Sequence, residues 1–335
     1  MKQIFIFFIV LIFFLKQPAS AQSKEVRFLI DTCITILKQN SVNTRNVNWD
    51  TVKKNAIEKA ADITDGYKLG SVMRYIFRSV NDFHGAFFYK DSTFKIEHKQ
   101  TPVSDSVQKE WNKGISIKTK MLENNIGYLR IPYMPTGTRE QNNANTQKLN
   151  DSLCSLLEKN IKGLVLDLRL NGGGDMHLMI LGMQQLLGEG HVGSFHAKKK
   201  EDWILENNSF FANTFEIVSI IPKCNTNAQN IPIVILVGPG TGSSGEFFLM
   251  AFKGRRKTIF LGNETAGYVT VVAGLPVNKE AYMYISVGYG ADRNGKMYKE
   301  ALKPDIPFTS PDNFNNIPND NKVKAAVNWL KRQHN

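Results

Sequence analysis

The sequence predicts an α/β fold in which buried strands alternate with glycine-rich loops and helices. Two runs, "GLVLDLRL" at 163–170 and "IPIVILV" at 231–237, are apolar on both faces of a strand, as is typical of strands buried in an α/β sheet. Each run is followed by a glycine-rich loop and then by a helix-like apolar segment. The repeated order of strand, loop and helix is the basis for the predicted class.

Residues 1–21 have the pattern of a secretory signal peptide. Lys2 precedes an apolar run at 4–15, and a small-residue stretch ends at Ala21. The run is shorter than the roughly 20 residues that a membrane-spanning helix needs. We therefore expect export to the periplasm or the extracellular space, with no stable membrane span after signal removal. An uncut membrane anchor is the alternative.

Residues 22–90 are predicted to form a small helical N-terminal region. Apolar residues recur there at steps of three and four, and Asp50 is a candidate N-cap of a second helix. The predicted α/β core occupies residues 91–335.

The elements of the α/β part follow in order along the chain. Strands are expected at "GAFFY", "GISIKTKML", "GYLRIPYM", "TIFLG" and "YMYISVGYG", besides the two buried runs. Helices are expected at 146–157, at 176–187 and at 244–253, with a last amphipathic helix at "KVKAAVNWLKRQ". Residues 189–230 appear only as a polar excursion between elements.

Charge and metal-ligand patterns exclude several classes of function. The formal net charge is +12, but its densest runs, 198–200 and 255–257, lack the interleaved aromatic residues of a nucleic-acid platform. We interpret both runs as solvated loops and expect no nucleic-acid partner. The three cysteines form no C-x-x-C and the six histidines no H-E-x-x-H, so no metal and no cofactor is expected. At most one disulfide is possible, and its pairing is left open.

The loop "GPGTGSSGEFF" after the second buried strand has three interpretations. Gly240, Gly242 and Gly245 match a dinucleotide-binding G-x-G-x-x-G, with Glu264 as a candidate ribose-binding acid. Ser243 and Glu246 alternatively form a capping box, although this does not explain the glycines.

The third interpretation is an active serine. A serine at a helix N-terminus lies beside free N–H groups and the positive end of the helix dipole, which stabilise a developing oxyanion. The loop "NGGG" after the first buried strand offers further N–H donors. His84, two residues after Asp82, is a candidate general base.

With these segments in this order, the chain resembles the carboxyl-terminal processing (tail-specific) serine peptidases. The matching segments are "NWD", "NDFHG", "GYLRI", "GLVLDLRLNGGG", "SSGEFF", "GNETAG" and "KPDIPF". The resemblance implies a ClpP/crotonase-like core of repeated ββα units behind the helical region. It also implies an exported serine peptidase acting on peptide or protein substrates. A catalytically weak protein that binds peptides or hydrophobic ligands on the same fold is the alternative.

The resemblance assigns roles to individual residues. Ser243 is the implied nucleophile, and the oxyanion hole comes from the N–H of Ser244 and that of Gly173 or Gly174. Tyr268 stands where relatives with a Ser-Lys dyad carry the lysine, so the branch like the tricorn core, with His84 as base, is implied.

The assisting carboxylate departs from the family pattern. Its matched position holds Tyr298, and Glu300 two residues later is the candidate. A histidine base predicts that kcat/KM rises with pH near 6.5 and that a nearby carboxylate moves this inflection upward. About 40 residues separate His84 from "GYLRI", too few for a PDZ module. The oligomeric state is left open.

Overall fold

The computed structural model describes residues 23–98 and 101–333. The predicted signal peptide at 1–21 lies outside the described residues. The helices of the described part are α1 Lys24–Asn40, α2 Trp49–Lys59, α3 Gly70–Ser79, α4 Asp105–Asn112, α5 Arg139–Leu157, α6 Met176–Gly182, α7 Gln184–Leu187, α8 Ser244–Phe252 and α9 Asn321–Lys331. In that part, no helix combines the length and apolarity needed to cross a membrane.

The strands form two sheets. They are β1 Ala86–Tyr89, β2 Ser92–Phe94, β3 Lys118–Met121, β4 Ile126–Arg130, β5 Gly163–Asp167, β6 Gly190–His196, β7 Lys200–Glu206, β8 Ser209–Ala212, β9 Phe215–Ser219, β10 Ile233–Val237, β11 Thr258–Gly262, β12 Thr270–Pro276, β13 Ala281–Asp292 and β14 Ile306–Pro307. The first sheet has the order β2-β1-β13-β6-β7-β8-β9 with β12 also paired to β13. The second has the order β14-β11-β10-β5-β4-β3.

The second sheet contains the two buried strands that the sequence predicts. Its strands β14, β11, β10, β5 and β4 are parallel, and β3 is an antiparallel edge. Every residue of β5 and of β10 is buried. Their two faces are covered by α9 on one side and by α5, α6 and α8 on the other, which explains the apolar residues at consecutive positions. The predicted α/β class is confirmed.

The helical N-terminal region packs on the first sheet. Helices α1, α2 and α3 share a core with β1 and β13, through residues such as Leu29, Phe77 and Met283. The predicted boundary after residue 90 falls between β1 and β2, which pair with each other. The N-cap of α2 is Asn48, whose Oδ1 accepts from Thr51 N–H, and Asp50 lies in the first turn instead.

The segment 189–230 is more regular than the sequence analysis indicated. It contains β6 to β9, an antiparallel run in which each strand pairs with the next. Only alternate positions, such as Trp203 and Leu205 in β7, face the core, so polar residues dominate the composition of this segment. The predicted single helix at 176–187 is divided into α6 and α7 at Met183.

Two further features fix the core. Cys154 in α5 and Cys224 before β10 form a disulfide, and Cys33 is free and buried.

Arg255 is buried rather than solvated, because its guanidinium donates to the carbonyl oxygens of Leu186, Ala228 and Ile231. The prediction that the whole run 255–257 is a solvated loop is therefore wrong at its first residue.

Candidate active site

The candidate site lies at the carboxyl ends of the parallel strands. The loops after β5 and β10 meet there, because neighbouring parallel strands end at the same edge of a sheet. Gly240 packs so closely on the first loop that a Cβ atom would lie 2.3 Å from the Arg169 carbonyl oxygen. A glycine is therefore needed at this position because the two loops are in close contact. Glu264, the candidate ribose-binding acid, is exposed and pairs with Lys303 (3.8 Å).

Ser243 immediately precedes α8 with an unusual backbone conformation. Its φ is 52° and its ψ is −122°, a region that residues other than glycine rarely adopt. Such strain, of order 1–3 kcal/mol, persists where the surrounding structure enforces it. Ser243 Oγ lies 3.4 Å from Nε2 of His84. The structure thus brings together the candidate nucleophile and the candidate base from positions 159 residues apart.

The other ring nitrogen of His84 contacts a hydroxyl group rather than a carboxylate. His84 Nδ1 lies 2.9 Å from Thr270 Oγ1. Thr270 Oγ1 is 2.8 Å from Ser286 Oγ, which in turn is 2.7 Å from Asp82 Oδ1. A continuous chain of hydrogen-bonding groups therefore joins Ser243 to the buried Asp82 through His84 and two hydroxyls.

Hydrogen-bond donors and acceptors in this chain fit one tautomer of His84. An ionised Asp82 only accepts, so the single hydroxyl proton of Ser286 is donated to it. The same Ser286 hydroxyl is also placed to donate to Thr270 Oγ1 (2.8 Å). With the His84 ring proton on Nδ1, Thr270 Oγ1 accepts from that N–H group. This tautomer leaves Nε2 of His84 unprotonated and facing Ser243, as a general base requires.

Asp82 is held by its own donors. Besides Ser286 Oγ, the N–H groups of Gly85 and Ser286 donate to its carboxylate, both at 2.8 Å. Burial lowers the pKa of His84, and this effect outweighs the charge of Asp82, which raises it. This direction is opposite to the upward displacement expected from a nearby carboxylate, because the ring is desolvated and its Nδ1 contacts a hydroxyl group rather than a carboxylate.

Glu246 anchors the start of α8. Its Oε2 accepts from Ser243 N–H at 3.0 Å, which is the carboxylate arm of the predicted capping box. Its Oε1 accepts from the Thr265 hydroxyl at 2.5 Å and from Gly267 N–H at 2.9 Å. The side chain is fully buried, and burial raises its pKa to about 7. Glu246 therefore ties Ser243 to the loop after β11.

Two backbone N–H groups are available beside Ser243. Gly173 N–H is occupied by Asn171 Oδ1 (3.0 Å), whereas the N–H groups of Gly174 and Ser244 have no acceptor within residues 23–98 and 101–333. Gly174 has a φ of 100°, and a Cβ there would lie 2.1 Å from the Met134 carbonyl oxygen. Of the two glycines predicted for the oxyanion hole, Gly174 is the one whose donor is free.

A cleft of about 250 Å³ opens at Ser243 and His84. Its lining is largely apolar or uncharged, with Phe195, Phe247 and Val272 among its residues. It also contains a second acid–histidine pair, in which Asp175 Oδ1 lies 2.7 Å from Nδ1 of His177. Burial alone would raise the pKa of Asp175, but hydrogen bonds from His177 hold this pKa below its usual value.

Glu300 and Tyr268 lie outside the hydrogen-bonded chain. Glu300 is exposed and lines a separate surface cleft with Lys253 and Tyr298, so the structure does not bring it to His84. The neighbouring Leu302 N–H donates to Thr265 Oγ1, which ties this segment to the loop after β11. Tyr268 packs its ring 5.1 Å from that of His84.

The sequence analysis did not identify Thr270 and Ser286. Neither belongs to a segment with a recognisable motif, and their proximity arises from the pairing of β12 with β13. His98 was also missed. It stacks on Phe83 with ring centroids 3.6 Å apart, and its Nε2 bonds to the Ala266 carbonyl oxygen. For Thr270 and Ser286 the signal in the sequence is weak, since Thr270 is the single polar residue of β12 and Ser286 lies in a mainly apolar and aromatic strand. Neither observation specifies a partner.

Sequence comparison defines the class of protein. Residues 125–308 match the model of peptidase family S41. This range is more than half of the 335-residue chain and includes Ser243 and Thr270. The chain belongs to peptidase family S41.

Two characterised relatives extend the comparison. The chain is 30% identical over 244 residues to a nisin-resistance protein of Lactococcus lactis subsp. lactis, covering 71% of this chain and 69% of that protein. It is 24% identical over 227 residues to the carboxy-terminal processing protease CtpA of Bacillus subtilis, covering 67% of this chain and 44% of CtpA. The chain thus spans less than half the length of that protease.

Solved structures show the same fold. A lipoprotein from Streptococcus agalactiae aligns with a TM-score of 0.67 at 21% identity, over 96% of this chain and 99% of that one. The photosystem II D1 C-terminal processing protease aligns with a TM-score of 0.53 at 12% identity, over 84% and 93%. The predicted ββα core behind a helical region is thereby confirmed as the fold of S41 proteases.

Proposed function

We propose that this protein is an exported serine peptidase of the tail-specific, C-terminal-processing type. Ser243 is the nucleophile and His84 is its general base. The observation that carries the proposal is the 3.4 Å approach of Ser243 Oγ to His84 Nε2 at the N-terminus of α8. Peptides or proteins are the substrates, in keeping with the family.

In the proposed mechanism, His84 accepts the Ser243 proton as Oγ attacks the scissile carbonyl carbon. The imidazolium that forms donates its Nδ1–H to Thr270. The hydrogen bonds through Thr270 and Ser286 connect the imidazolium to the negative charge of Asp82, which stabilises it. The N–H groups of Gly174 and Ser244 stabilise the oxyanion of the tetrahedral intermediate. His84 then gives this proton to the leaving amine. Water attacks the carbonyl carbon of the acyl-enzyme as His84 accepts a proton from it, and His84 returns that proton to Ser243 Oγ as the ester bond breaks.

Export of the mature chain is supported by the cysteines. The disulfide between Cys154 and Cys224 is of the kind that persists in oxidising compartments such as the periplasm and the extracellular space. It agrees with the signal-peptide pattern of residues 1–21. Fractionation of cells that produce the full-length chain tests this part of the proposal, because a chain found only in the cytosol would contradict it.

A weakly catalytic binding protein is the second candidate. It is favoured by the absence of a carboxylate in direct contact with His84 within the described residues, since Thr270 occupies that position. The fold permits both activities.

An active-site serine probe discriminates between the two candidates. We expect a fluorophosphonate to label Ser243 of the wild-type protein, with the label located by peptide mass spectrometry. Ser243→Ala should lose the label and cleave peptides at less than about 1% of the wild-type rate. The matched control, Ser244→Ala, should retain the label. Labelling at Ser244, or an active Ser243→Ala variant, would contradict the proposed nucleophile, and an unlabelled wild type would favour the binding protein.

A further inference from the structure

An exposed aromatic surface leads away from the candidate active site along the first sheet. Tyr282 and Tyr284 of β13 are 36% and 42% exposed, although large aromatic side chains usually find cover in a folded domain. Phe88 of the neighbouring strand β1 pairs with Tyr282, and its ring centroid lies 6.4 Å from that of Tyr282 and 5.4 Å from that of Tyr284. We call Phe88, Tyr282 and Tyr284 the aromatic platform.

The platform lies on the same face of the sheet as the catalytic groups. Side chains alternate between the faces of a strand, so Tyr282 and Tyr284 lie on the face opposite to the buried Met283 and Ile285. Tyr284 is paired with Ala86, two residues after His84, and with Gly274 of β12. The platform is therefore part of one continuous surface with the base.

Strand β12 connects the platform to the cleft. It begins at Thr270, which bonds to His84, and Val272 is both 37% exposed and part of the cleft lining. Gly274 follows in the same alternation and carries no side chain, so Tyr282 can extend over it. Val272 thus bridges the cleft and the aromatic rings.

The distances along β12 set the length of the ligand. Gly274, which pairs with Tyr284 and lies under the Tyr282 side chain, is four positions along β12 from Thr270, and Pro276, the backbone partner of Tyr282, is six positions from it. At about 3.3 Å per residue these are roughly 13 Å and 20 Å. Only the His84 ring separates Thr270 from Ser243 Oγ, so we count from Thr270 as the position of the scissile bond. On this count an extended peptide needs about four to six residues to reach the platform, and a tripeptide is too short.

The chemistry of the platform selects among peptide segments. Aromatic rings offer apolar contact area at little loss of conformational entropy. At its far end, the charges of Lys90 and Glu280 are compensated by an ion pair of 3.5 Å. A segment with apolar side chains is therefore a better match than a strongly charged one.

We propose that the aromatic platform is an extended substrate-binding surface, which holds apolar residues about four to six positions from the cleaved bond. The inference rests on the proposed peptidase function and names the substrate class for the same site: peptides with an apolar segment at that distance, rather than short peptides. Binding of such a segment would position the scissile bond at Ser243.

Peptides of graded length test this proposal. Two series share one cleavable core and are extended by one to eight residues, on the amino or the carboxyl side, with leucine or with serine at the added positions. In the wild type we expect kcat/KM to rise at four to six added residues on one side, for the leucine series only. Tyr282→Ser and Tyr284→Ser should lower this gain roughly five- to tenfold.

The control is Phe215→Ser, which removes an aromatic residue that is 70% exposed at the other end of the sheet. It should keep the full dependence on length. Thermal unfolding of each variant verifies that it is folded, and Phe88→Ser provides a further platform variant if one of the tyrosine variants fails this criterion.

The outcomes separate this proposal from the proposed function. If the wild type cleaves the short core but shows no gain with length, or if the tyrosine variants keep the gain, the platform does not bind substrate while the peptidase stands. If no peptide is cleaved, the proposed function fails. Binding of the long leucine peptide, measured by fluorescence anisotropy, then decides whether the platform is a ligand surface. A change in sedimentation of the tyrosine variants without a change in peptide kinetics would show an interface between two copies of the chain instead.

Discussion

Thr270 Oγ1 lies 2.9 Å from Nδ1 of His84, in the position where a serine triad has a carboxylate. The negative charge is located two hydroxyl groups further away, on Asp82. In the proposed mechanism, Thr270 orients the imidazole of His84 and Asp82 stabilises its charge, so these two tasks fall to different residues. This division leads to the first three predictions.

Thr270→Val removes the acceptor of His84 Nδ1–H at nearly constant volume. The ring loses its tautomer control and leaves a buried donor unpaired, so we expect kcat/KM to fall by about 10- to 100-fold. Thr270→Ser, which keeps the hydroxyl, should stay within about threefold of the wild type. Steady-state kinetics on one peptide measures both variants. Equal losses for valine and serine would indicate a steric role for Thr270.

Glu300→Gln should leave kcat/KM within about twofold of the wild type, because an exposed side chain in a separate cleft exerts only a screened effect. Asp82→Asn should be far more harmful, since it replaces the charge at the end of the hydroxyl chain. Steady-state kinetics measures the catalytic effect of both variants, and thermal unfolding shows whether each variant is still folded. A large loss of kcat/KM for Glu300→Gln in a folded protein would show that Glu300 takes part in catalysis after all.

The pH dependence of kcat/KM reports the base in the free enzyme. Burial lowers the pKa of His84, so the neutral, reactive imidazole should persist below the usual value of about 6.5. We expect kcat/KM to rise with pH through an inflection below that value and then to level off. His84→Ala should remove the inflection together with nearly all activity. An inflection clearly above 6.5 would show that the Asp82 charge outweighs desolvation.

Glu246 makes stability depend on pH. Its pKa is raised to about 7 by burial, whereas the unfolded chain has a value near 4.5, so the folded state binds more protons between these limits. The stabilisation is fully present below pH 4.5 and is lost as pH rises to about 7. Relative to Glu246→Gln, the free energy of unfolding should fall by on the order of 3 kcal/mol over this range. Urea unfolding at several pH values measures it, and a constant difference would contradict the raised pKa.

The disulfide should contribute strongly to stability because it closes a long loop. Its cysteines are 70 residues apart, for which loop-closure entropy gives about 4 kcal/mol. A variant with both Cys154→Ala and Cys224→Ala should lose about 2–5 kcal/mol in urea unfolding. Reductant should weaken the wild type and leave this variant unchanged. Equal stability of the two proteins under oxidising conditions would show that the bond is not formed.

The elements along the chain were predictable where one periodicity dominated. The continuous apolar runs of β5 and β10 identified buried strands, and the apolar steps of α1 identified its covered face. Strands β6 to β9 were not predicted, because only their alternate residues are buried. The break between α6 and α7 was not predicted either, since Met183 at the junction is itself apolar and the segment contains no proline to mark a helix end.

The sequence by itself determined the α/β class and the family resemblance, and it predicted Ser243 and His84 as the candidate pair, because each depends on short segments whose residue types carry the chemistry. Only the tertiary structure decided the partner of His84, the free N–H of Gly174 and the position of Glu300. These depend on which strands pair and in what register. The contact of Thr270 with His84 joins residues 186 positions apart, and nothing in the local pattern of either segment specifies it.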